Sequence, residues 1–155
     1  MTPEIQARFE QHQLSLPKAS TPAFGYLPVT QGDRQLYVSG KTPKVDGVLQ
    51  HRGRLGRELD VQQGADAART AALSALATVE AERGLERVVQ VLKVVGYVAC
   101  TPGFDQQSQV IEGASQVFRA VLGDAGAHAR TAIGVAALPG SAPVELDVTI
   151  LLDRA

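Results

Sequence analysis

The chain has 155 residues, of which 45% are hydrophobic and 20% are charged, and its formal net charge is −1. These values are typical of one globular domain with enough apolar material for a core. We therefore expect residues 1–155 to form a single domain, with 1–20 as an N-terminal helical and loop extension. Nucleic-acid binding is disfavoured, because the chain has no basic excess, only 5% aromatic residues and no Trp.

The cysteine content and the N-terminus predict a reducing compartment. Cys100 is the single cysteine of the chain, so no intrachain disulfide can form. The N-terminal segment is polar and carries acidic residues, unlike a secretory signal, and no apolar run approaches the ~20 residues of a membrane helix. The expectation is a cytoplasmic protein without membrane contact.

The N-terminal third predicts a short helix and a β-hairpin. A helix is expected over 3–16, ending there because the residue before a proline resists helical dihedral angles. Strands over 25–30 and 35–39 flank the turn signal Gln-Gly-Asp at 31–33. The glycine-rich stretch that follows is expected to be a loop with one short strand at 48–49.

The clearest predicted helix covers residues 60–83. The segment is rich in Ala, lacks Pro, begins at Asp60 as a capping residue and stops at Gly84. Its apolar positions recur at steps of three or four, which indicates a single apolar stripe. The stripe consists of Ala65, Ala68, Ala72, Leu76 and Val79.

The segment 87–101 predicts a long strand of nearly continuous apolar character. A strand with this pattern is buried on both faces, whereas a half-exposed strand alternates. The helix at 60–83 covers one face, and the chain is too short to cover the other. The pattern therefore predicts an oligomer in which another copy covers the second face.

The C-terminal third predicts a second helix over 104–122 and two strands over 131–138 and 144–152. In the last strand, apolar residues alternate with polar ones, as in a strand with one buried face. The element order is β-β-α-β-α-β-β. We expect an α+β fold with a mixed sheet and two main helices on one face.

Arg130 is the first candidate functional residue. It stands at the start of a segment, TAIGVAAL, that is otherwise small and apolar, where an arginine is rare without a partner. Its planar guanidinium suits two parallel hydrogen bonds to a carboxylate, which predicts an anionic substrate. The alternatives are an ion pair with Glu145 or Asp147 on the neighbouring strand, or a solvated charge at the strand end.

Glu145 and His128 are candidates to assist Arg130. If the last two strands form a hairpin, Arg130 lies opposite Leu151 and Glu145 opposite Ala136, with both charges on one face. The carboxylate would then hold a water or act as a general base, the alternative being a solvent-facing glutamate on an edge strand. His128 would either move protons or be an ordinary loop histidine.

The remaining polar candidates lie near the first strands. Ser39 and Gly40 end a strand and open a loop, where backbone N–H groups or the hydroxyl could hold an oxyanion. Tyr26 could offer its hydroxyl to a ligand. An ordinary strand end and an interface tyrosine are the alternatives. The three histidines lack metal-ligand spacing, and Cys100 is more typical of a core than of a nucleophile, so neither a metal nor a cofactor is expected.

Three segments together resemble one known family. They are YVSGKTP at 37–43, the AAR-x-AALSALA helix at 67–77 and GAHARTAIGVAALPGSAPVELDV at 126–148. They resemble the Rid/YjgF family of enamine/imine deaminases, also labelled endoribonuclease L-PSP. The resemblance covers nearly the whole chain from Tyr26 onward, and the block ARTAIGVAALP followed by VEL is its most specific part.

The resemblance implies a fold similar to chorismate mutase of the trimeric, barrel-like kind, with pockets at subunit interfaces. Its better-known members hydrolyse reactive 2-imino acids to 2-oxo acids and ammonia. The family's carboxylate-binding arginine falls on Arg130, and its glutamate beside the catalytic water falls on Glu145. The pocket tyrosine falls on Tyr26, and the serine before glycine falls on Ser39, next to Gly40.

Two positions depart from the family pattern, with Glu112 in place of an Asn and Ala132 in place of a Cys. A carboxylate near Arg130, the expected clamp for the substrate carboxylate, repels an anionic substrate unless that carboxylate is paired or points away. Three hypotheses follow: a 2-imino acid deaminase, which Arg130 and Glu145 favour; a non-catalytic binding or regulatory trimer, which Glu112 favours; and a ribonuclease. The balanced charge and low aromatic content disfavour the third.

Overall fold

Ten helices and strands make up most of the molecule, and the computed structural model describes residues 1–154. In chain order they are α1 (Pro3–Gln11), β1 (Val29–Gly32), β2 (Gln35–Lys41), β3 (Lys44–Val45), β4 (Val48–Leu49), α2 (Val61–Glu82), β5 (Val88–Ala99), α3 (Gln107–Leu122), β6 (Ala129–Val135) and β7 (Val144–Leu152).

The sheet has five strands in the order β1-β2-β7-β5-β6, and β3 pairs with β4 in a separate ribbon. β5 and β6 are parallel because α3 connects them as a crossover, and the other neighbours are antiparallel. α2 and α3 pack on one face, against the buried side chains of β7 and its neighbours. The predicted α+β class and the order of the main elements are confirmed. We call the opposite side of the sheet the open face.

Helix α2 follows its predicted pattern closely. The Asp60 side chain accepts a hydrogen bond from the Gln63 amide, and the Gln63 side chain accepts one from the Asp60 amide. Small residues bring α2 close to α3: a Cβ atom at Gly113 would collide with the carbonyl of Ala65. Among residues 1–154, no helix is both long and apolar enough to span a bilayer.

Two N-terminal elements differ from their predicted bounds for local reasons. α1 ends at Gln11 rather than at 16, because Gln13 leaves the helical region with a φ of 52°. β1 begins at Val29 rather than at 25, and the residue before it, Pro28, has no amide hydrogen to donate to a neighbouring strand. The buried Phe9 nevertheless anchors α1 to the core.

The predicted hairpin of the last two strands is wrong. β5 lies between β6 and β7, so Arg130 pairs with Val94 rather than with Leu151, and Glu145 pairs with Tyr97. The β5–α3–β6 crossover places β6 at the edge of the sheet and leaves the position between β2 and β5 for β7. Because side chains alternate along strands, Arg130 lies on the helix side of the sheet and Glu145 lies on the open face.

Strand β5 is covered on one face only within a single chain. Val91, Val94 and Val98 are fully buried beneath the helices, whereas Lys93 and Tyr97 on the open face are partly exposed. A single chain therefore covers one face of β5 with the helices, as predicted, and the covering of the other face by a second copy stays a prediction. The apolar run arises because both faces of β5 carry apolar residues, and only one of those faces has a helix over it.

Candidate functional site

Arg130 is held at the edge of the sheet by helix α3. Its Nη1 donates to Oε2 of Glu112 over 2.7 Å and to Oγ of Ser115 over 3.0 Å. The Arg130 side chain is only 25% exposed. Its Nε and Nη2 donate to no group among residues 1–154, so one edge of the guanidinium is free to bind a ligand.

A short hydrogen-bond relay stands behind Arg130. Nδ1 of His128 lies 2.7 Å from the carbonyl oxygen of Gly126, which requires a proton on Nδ1. Nε2 is then an acceptor, and the buried hydroxyl of Ser115 donates to it over 2.9 Å. Burial lowers the pKa of His128, which outweighs the opposing effect of the Gly126 carbonyl. The neutral histidine therefore orients Ser115, and Ser115 positions Arg130 as the acceptor of its Nη1–H.

Glu112 is not an unpaired negative charge beside Arg130. It forms an ion pair with Arg130, and its own side chain is 39% exposed. A carboxylate at this position repels an anionic substrate only if it is unpaired, and Glu112 is paired with Arg130. The pair also makes this part of the site neutral overall, which weakens its attraction for an anion compared with a lone arginine.

Glu145 lies on the open face in a half-buried position beside Gly40. A Cβ atom at Gly40 would collide with Oε1 of Glu145, so the glycine allows the carboxylate to lie against the backbone of β2. Burial raises the pKa of Glu145, the charge of Asp147 raises it further, and Lys44 opposes both. A carboxylate with a raised pKa is a better proton acceptor once it is ionised.

Ser39 and Tyr26 belong to the same half of the site as Glu145. The amide of Ser39 donates to the Pro28 carbonyl over 3.0 Å, and its hydroxyl donates to the Leu27 carbonyl over 2.6 Å. Both donors of Ser39 therefore hold the segment that presents Tyr26, which is 54% exposed. The hydroxyl oxygen of Ser39 keeps its acceptor capacity for a ligand.

The predicted site residues form two groups that one chain does not combine. Arg130 and Glu112 lie together on the helix side of β6, at the edge of the sheet. Ser39, Gly40 and Glu145 lie together near the end of β2. Strand β5 and the sheet itself separate the two groups, so a site that uses both needs a second copy of the chain.

Two residues of this region, Ser115 and Lys41, were not predicted from the sequence to belong to the site. Ser115 is a buried helix residue whose only sequence signal is a polar position on the apolar side of the helix predicted at 104–122. Lys41 is buried, and it directly follows Ser39 and Gly40 in the chain. The only sequence feature that points to it is the pair of lysines in the segment SGKTPK. Neither signal is specific without the three-dimensional pairing.

No group of three or more His, Cys, Asp or Glu side chains that could hold a metal occurs within residues 1–154. Cys100 is partly buried, and Nε2 of Gln107 donates to its sulfur over 3.8 Å.

The chain is similar to proteins of one family over nearly its whole length. A family described as "YjgF/chorismate_mutase-like, putative endoribonuclease" matches residues 6–145. The Trypanosoma cruzi protein TCP17 is 39% identical over 152 residues, which cover 97% of this chain and 95% of that protein.

Solved structures show the same similarity. Protein Atu1372 of Agrobacterium tumefaciens, of unknown function, has a TM-score of 0.90 and 38% identity, covering 97% of this chain and 93% of that chain. A Shewanella oneidensis structure described as "a putative endoribonuclease" has a TM-score of 0.91 and 26% identity, covering 96% and 99%. The fold is therefore of the chorismate-mutase-like class. Given the extent of both matches, the chain belongs to the YjgF family, and the resemblance of its three segments is confirmed.

Proposed function

We propose that the protein is a homotrimer that hydrolyses reactive 2-imino acids to 2-oxo acids and ammonia, at sites formed between two subunits. The observation that carries the proposal is the free Nε and Nη2 edge of a partly buried, rigidly held Arg130. That edge suits the two oxygens of a carboxylate. No cofactor is needed, because the protonated imine carbon is already electrophilic.

The reaction requires a held carboxylate and a positioned water. Arg130 of one subunit binds the substrate carboxylate, and Glu145 of the next accepts a proton from water as the oxygen attacks the imine carbon. The π electrons of the C=N bond move to nitrogen and give a neutral carbinolamine. Glu145 returns the proton to that nitrogen, the C–N bond breaks as the hydroxyl oxygen forms the carbonyl, and the hydroxyl proton passes through Glu145 to the departing ammonia. The products are the 2-oxo acid and ammonium.

The open face supports assembly through a second copy. Tyr37 of β2 and Ile133 of β6 both lie on this face and are 47% and 43% exposed. Tyr97 lies beside Ile133 and donates a hydrogen bond to Asp147 over 2.9 Å. A neighbouring sheet packed on this face would cover the apolar side chains and bring a foreign β6 edge near Glu145.

The Glu112–Arg130 ion pair favours a second candidate, a trimer that binds a small anion without chemistry. In that case the carboxylate of Glu112 would compete with the bound anion for Arg130, and the site would not need to activate a water. The two functions differ in whether imines are consumed.

An imine-decay assay tests the proposed function. An amino-acid oxidase generates the 2-imino acid, semicarbazide traps what survives, and the protein is added as wild type, Arg130→Ala or Glu145→Gln. Depletion of the trapped imine by wild type alone supports the deaminase. If wild type depletes no small, branched or aromatic imine, the binding function replaces it.

A further inference from the structure

A small cavity rich in lysine lies at the end of β2, beside the Glu145 half of the site. Its volume is about 130 Å³, and three lysines line it, Lys18, Lys41 and Lys44, together with Ser20 and Thr21. Pockets that enclose a whole small ligand usually measure about 300–1,000 Å³. This cavity has room for one functional group of a ligand rather than for the whole molecule.

A β-bulge turns Lys41 into this cavity. Val38 pairs with Val148 of β7, but Lys41 pairs with Leu146, so β2 contains one extra residue between the two pairs. In a regular strand without a bulge, side chains alternate, so position 41 would lie on the open face, opposite to Leu36 and Val38. The bulge instead places the Lys41 side chain on the helix side, where it is 5% exposed.

The ammonium group of Lys41 has little compensation inside the protein. Its one hydrogen bond goes to Oγ of Ser20 at the long distance of 3.4 Å, and it forms no salt bridge within residues 1–154. Burial lowers the pKa of Lys41, and the charge of Glu82 opposes this only as the smaller effect. Lysines are almost never buried unless they are paired, and an anionic group of a ligand would supply such a partner.

The cavity adjoins the proposed active site. Gly40 lines the cavity and also supports the carboxylate of Glu145. Tyr26, which the family resemblance places in the substrate pocket, lines the cavity as well. Lys44 is close enough to act on the charge of Glu145. Glu145 lies on the open face and the Lys41 side chain on the helix side, so a ligand held at Glu145 would reach the lysines around the end of β2, past Gly40.

We propose that the cavity of Lys18, Lys41 and Lys44 is an anion subsite that binds a carboxylate or phosphate group on the far end of the ligand. This inference rests on the proposed function and narrows its substrate class to 2-imino acids with a second anionic group, such as 2-imino dicarboxylic acids. Arg130 would hold the carboxylate next to the imine carbon, and the lysine cavity would hold the distal group.

The first test measures binding without catalysis. Inorganic phosphate and succinate are titrated by calorimetry, at low ionic strength, into wild type, Lys41→Gln and the control Arg57→Gln, which removes one charge from an exposed loop. We expect saturable binding that weakens at least tenfold in Lys41→Gln and stays unchanged in Arg57→Gln. The stronger of the two probes identifies the group. Binding by neither, or equal binding by Lys41→Gln, overturns the subsite.

If Lys41→Gln fails to fold, the double variant Lys18→Gln, Lys44→Gln replaces it, since both of these side chains are exposed. The same loss of phosphate and succinate binding is expected. Unchanged binding in the double variant overturns the subsite.

The second test compares two imines on the intact oligomer. The first is 2-iminoglutarate, generated by L-glutamate oxidase, and the second is the neutral-chain 2-iminobutanoate. We expect Lys41→Gln to raise KM for 2-iminoglutarate about tenfold, with a smaller change in kcat, and to lower its kcat/KM relative to 2-iminobutanoate. An unchanged ratio overturns the subsite while leaving the deaminase. If neither imine is consumed but Lys41-dependent binding persists, the deaminase fails and the subsite stands.

Discussion

Nη1 of Arg130 lies 2.7 Å from Oε2 of Glu112, so the arginine expected to bind a substrate carboxylate is already paired with a carboxylate of its own chain. The pair leaves Nε and Nη2 of the guanidinium free among residues 1–154. Glu112 therefore reduces the net charge of the clamp without blocking it. Whether the site favours one carboxylate over another depends on how strongly this internal partner competes.

Replacing Glu112 is expected to strengthen binding of simple carboxylates. In Glu112→Gln the amide oxygen still accepts from Nη1 of Arg130, but the compensating negative charge is lost. We expect KM for a monocarboxylate imine such as 2-iminopropanoate to fall about tenfold, which corresponds to about 1.4 kcal/mol. The imine-decay assay measures this, with the exposed Glu10→Gln as the charge-matched control. An unchanged or higher KM would show that Glu112 contacts the substrate itself.

Mixed oligomers test whether two subunits build each site. Arg130→Ala and Glu145→Gln are each expected to be inactive. In a cyclic trimer that contains both variants, one interface of the three combines an intact Arg130 with an intact Glu145. Trimers purified by two different tags should therefore recover about one third of wild-type activity.

The control for this experiment pairs Arg130→Ala with the double variant Arg130→Ala, Glu145→Gln, which offers no intact combination. Light scattering should show one trimeric species for every variant. The absence of recovery in the test mixture would mean that one subunit supplies both residues. Recovery in the control would mean that activity does not require Arg130. Dissociation of Arg130→Ala would mean that Arg130 is structural.

The alternation of apolar and polar residues in 144–152 correctly predicted β7 and the position of Glu145 on the opposite face from the apolar residues of that strand. The capping residue Asp60 and the alanine stripe likewise predicted α2, because both signals are local. The position of β7 between β2 and β5 could not be read in the same way. Strand order depends on the crossover through α3 and on long-range packing, and neither leaves a mark in the strand's own sequence.

The burial of Lys41 could not be predicted from the sequence for a related reason. A lysine near the end of a strand is ordinarily exposed, and simple alternation from Leu36 and Val38 places residue 41 on the open face. One extra residue in β2 reverses that assignment. Bulges of this kind re-aim side chains and are determined by pairing with a partner strand, which a single sequence does not reveal.

The rate of imine hydrolysis is expected to depend on the ionisation of Glu145. The carboxylate accepts a proton only when it is ionised, and burial together with Asp147 raises its pKa. The acidic limb of the kcat/KM profile should therefore lie above the usual range for a glutamate. In Asp147→Asn a like charge is removed, so the pKa of Glu145 falls and the limb moves to lower pH, while the amide oxygen still accepts from Tyr97.

The control for the pH profile is Glu10→Gln, which removes a distant exposed charge from α1. It should leave the limb in place. A limb that stays fixed in Asp147→Asn would assign the ionisation to a group other than Glu145, and the absence of any acidic limb would remove Glu145 from the proton transfer.

Lys41→Met is expected to stabilise the protein at neutral pH. In the unfolded chain Lys41 has its ordinary pKa near 10.5, whereas burial lowers that pKa in the fold. Between the two values the unfolded state binds more protons, so the free energy of unfolding of the wild type rises with pH across that window. Below the window the full penalty of the buried charge remains. Methionine carries no such penalty, so Tm at pH 7 should rise, by about 2–4 °C for each kcal/mol gained.

Thermal melts from pH 7 to pH 10 measure both effects. The stabilisation of Lys41→Met over the wild type should shrink as pH rises, because the wild-type lysine loses its charge. Phosphate should raise the Tm of the wild type, since it binds the folded state alone, and should leave Lys41→Met unaffected. Lys44→Met, a change of the same kind at an exposed position, should show no stabilisation at pH 7. A Tm that falls in Lys41→Met would mean that the ammonium group already has a stabilising partner in the assembled protein.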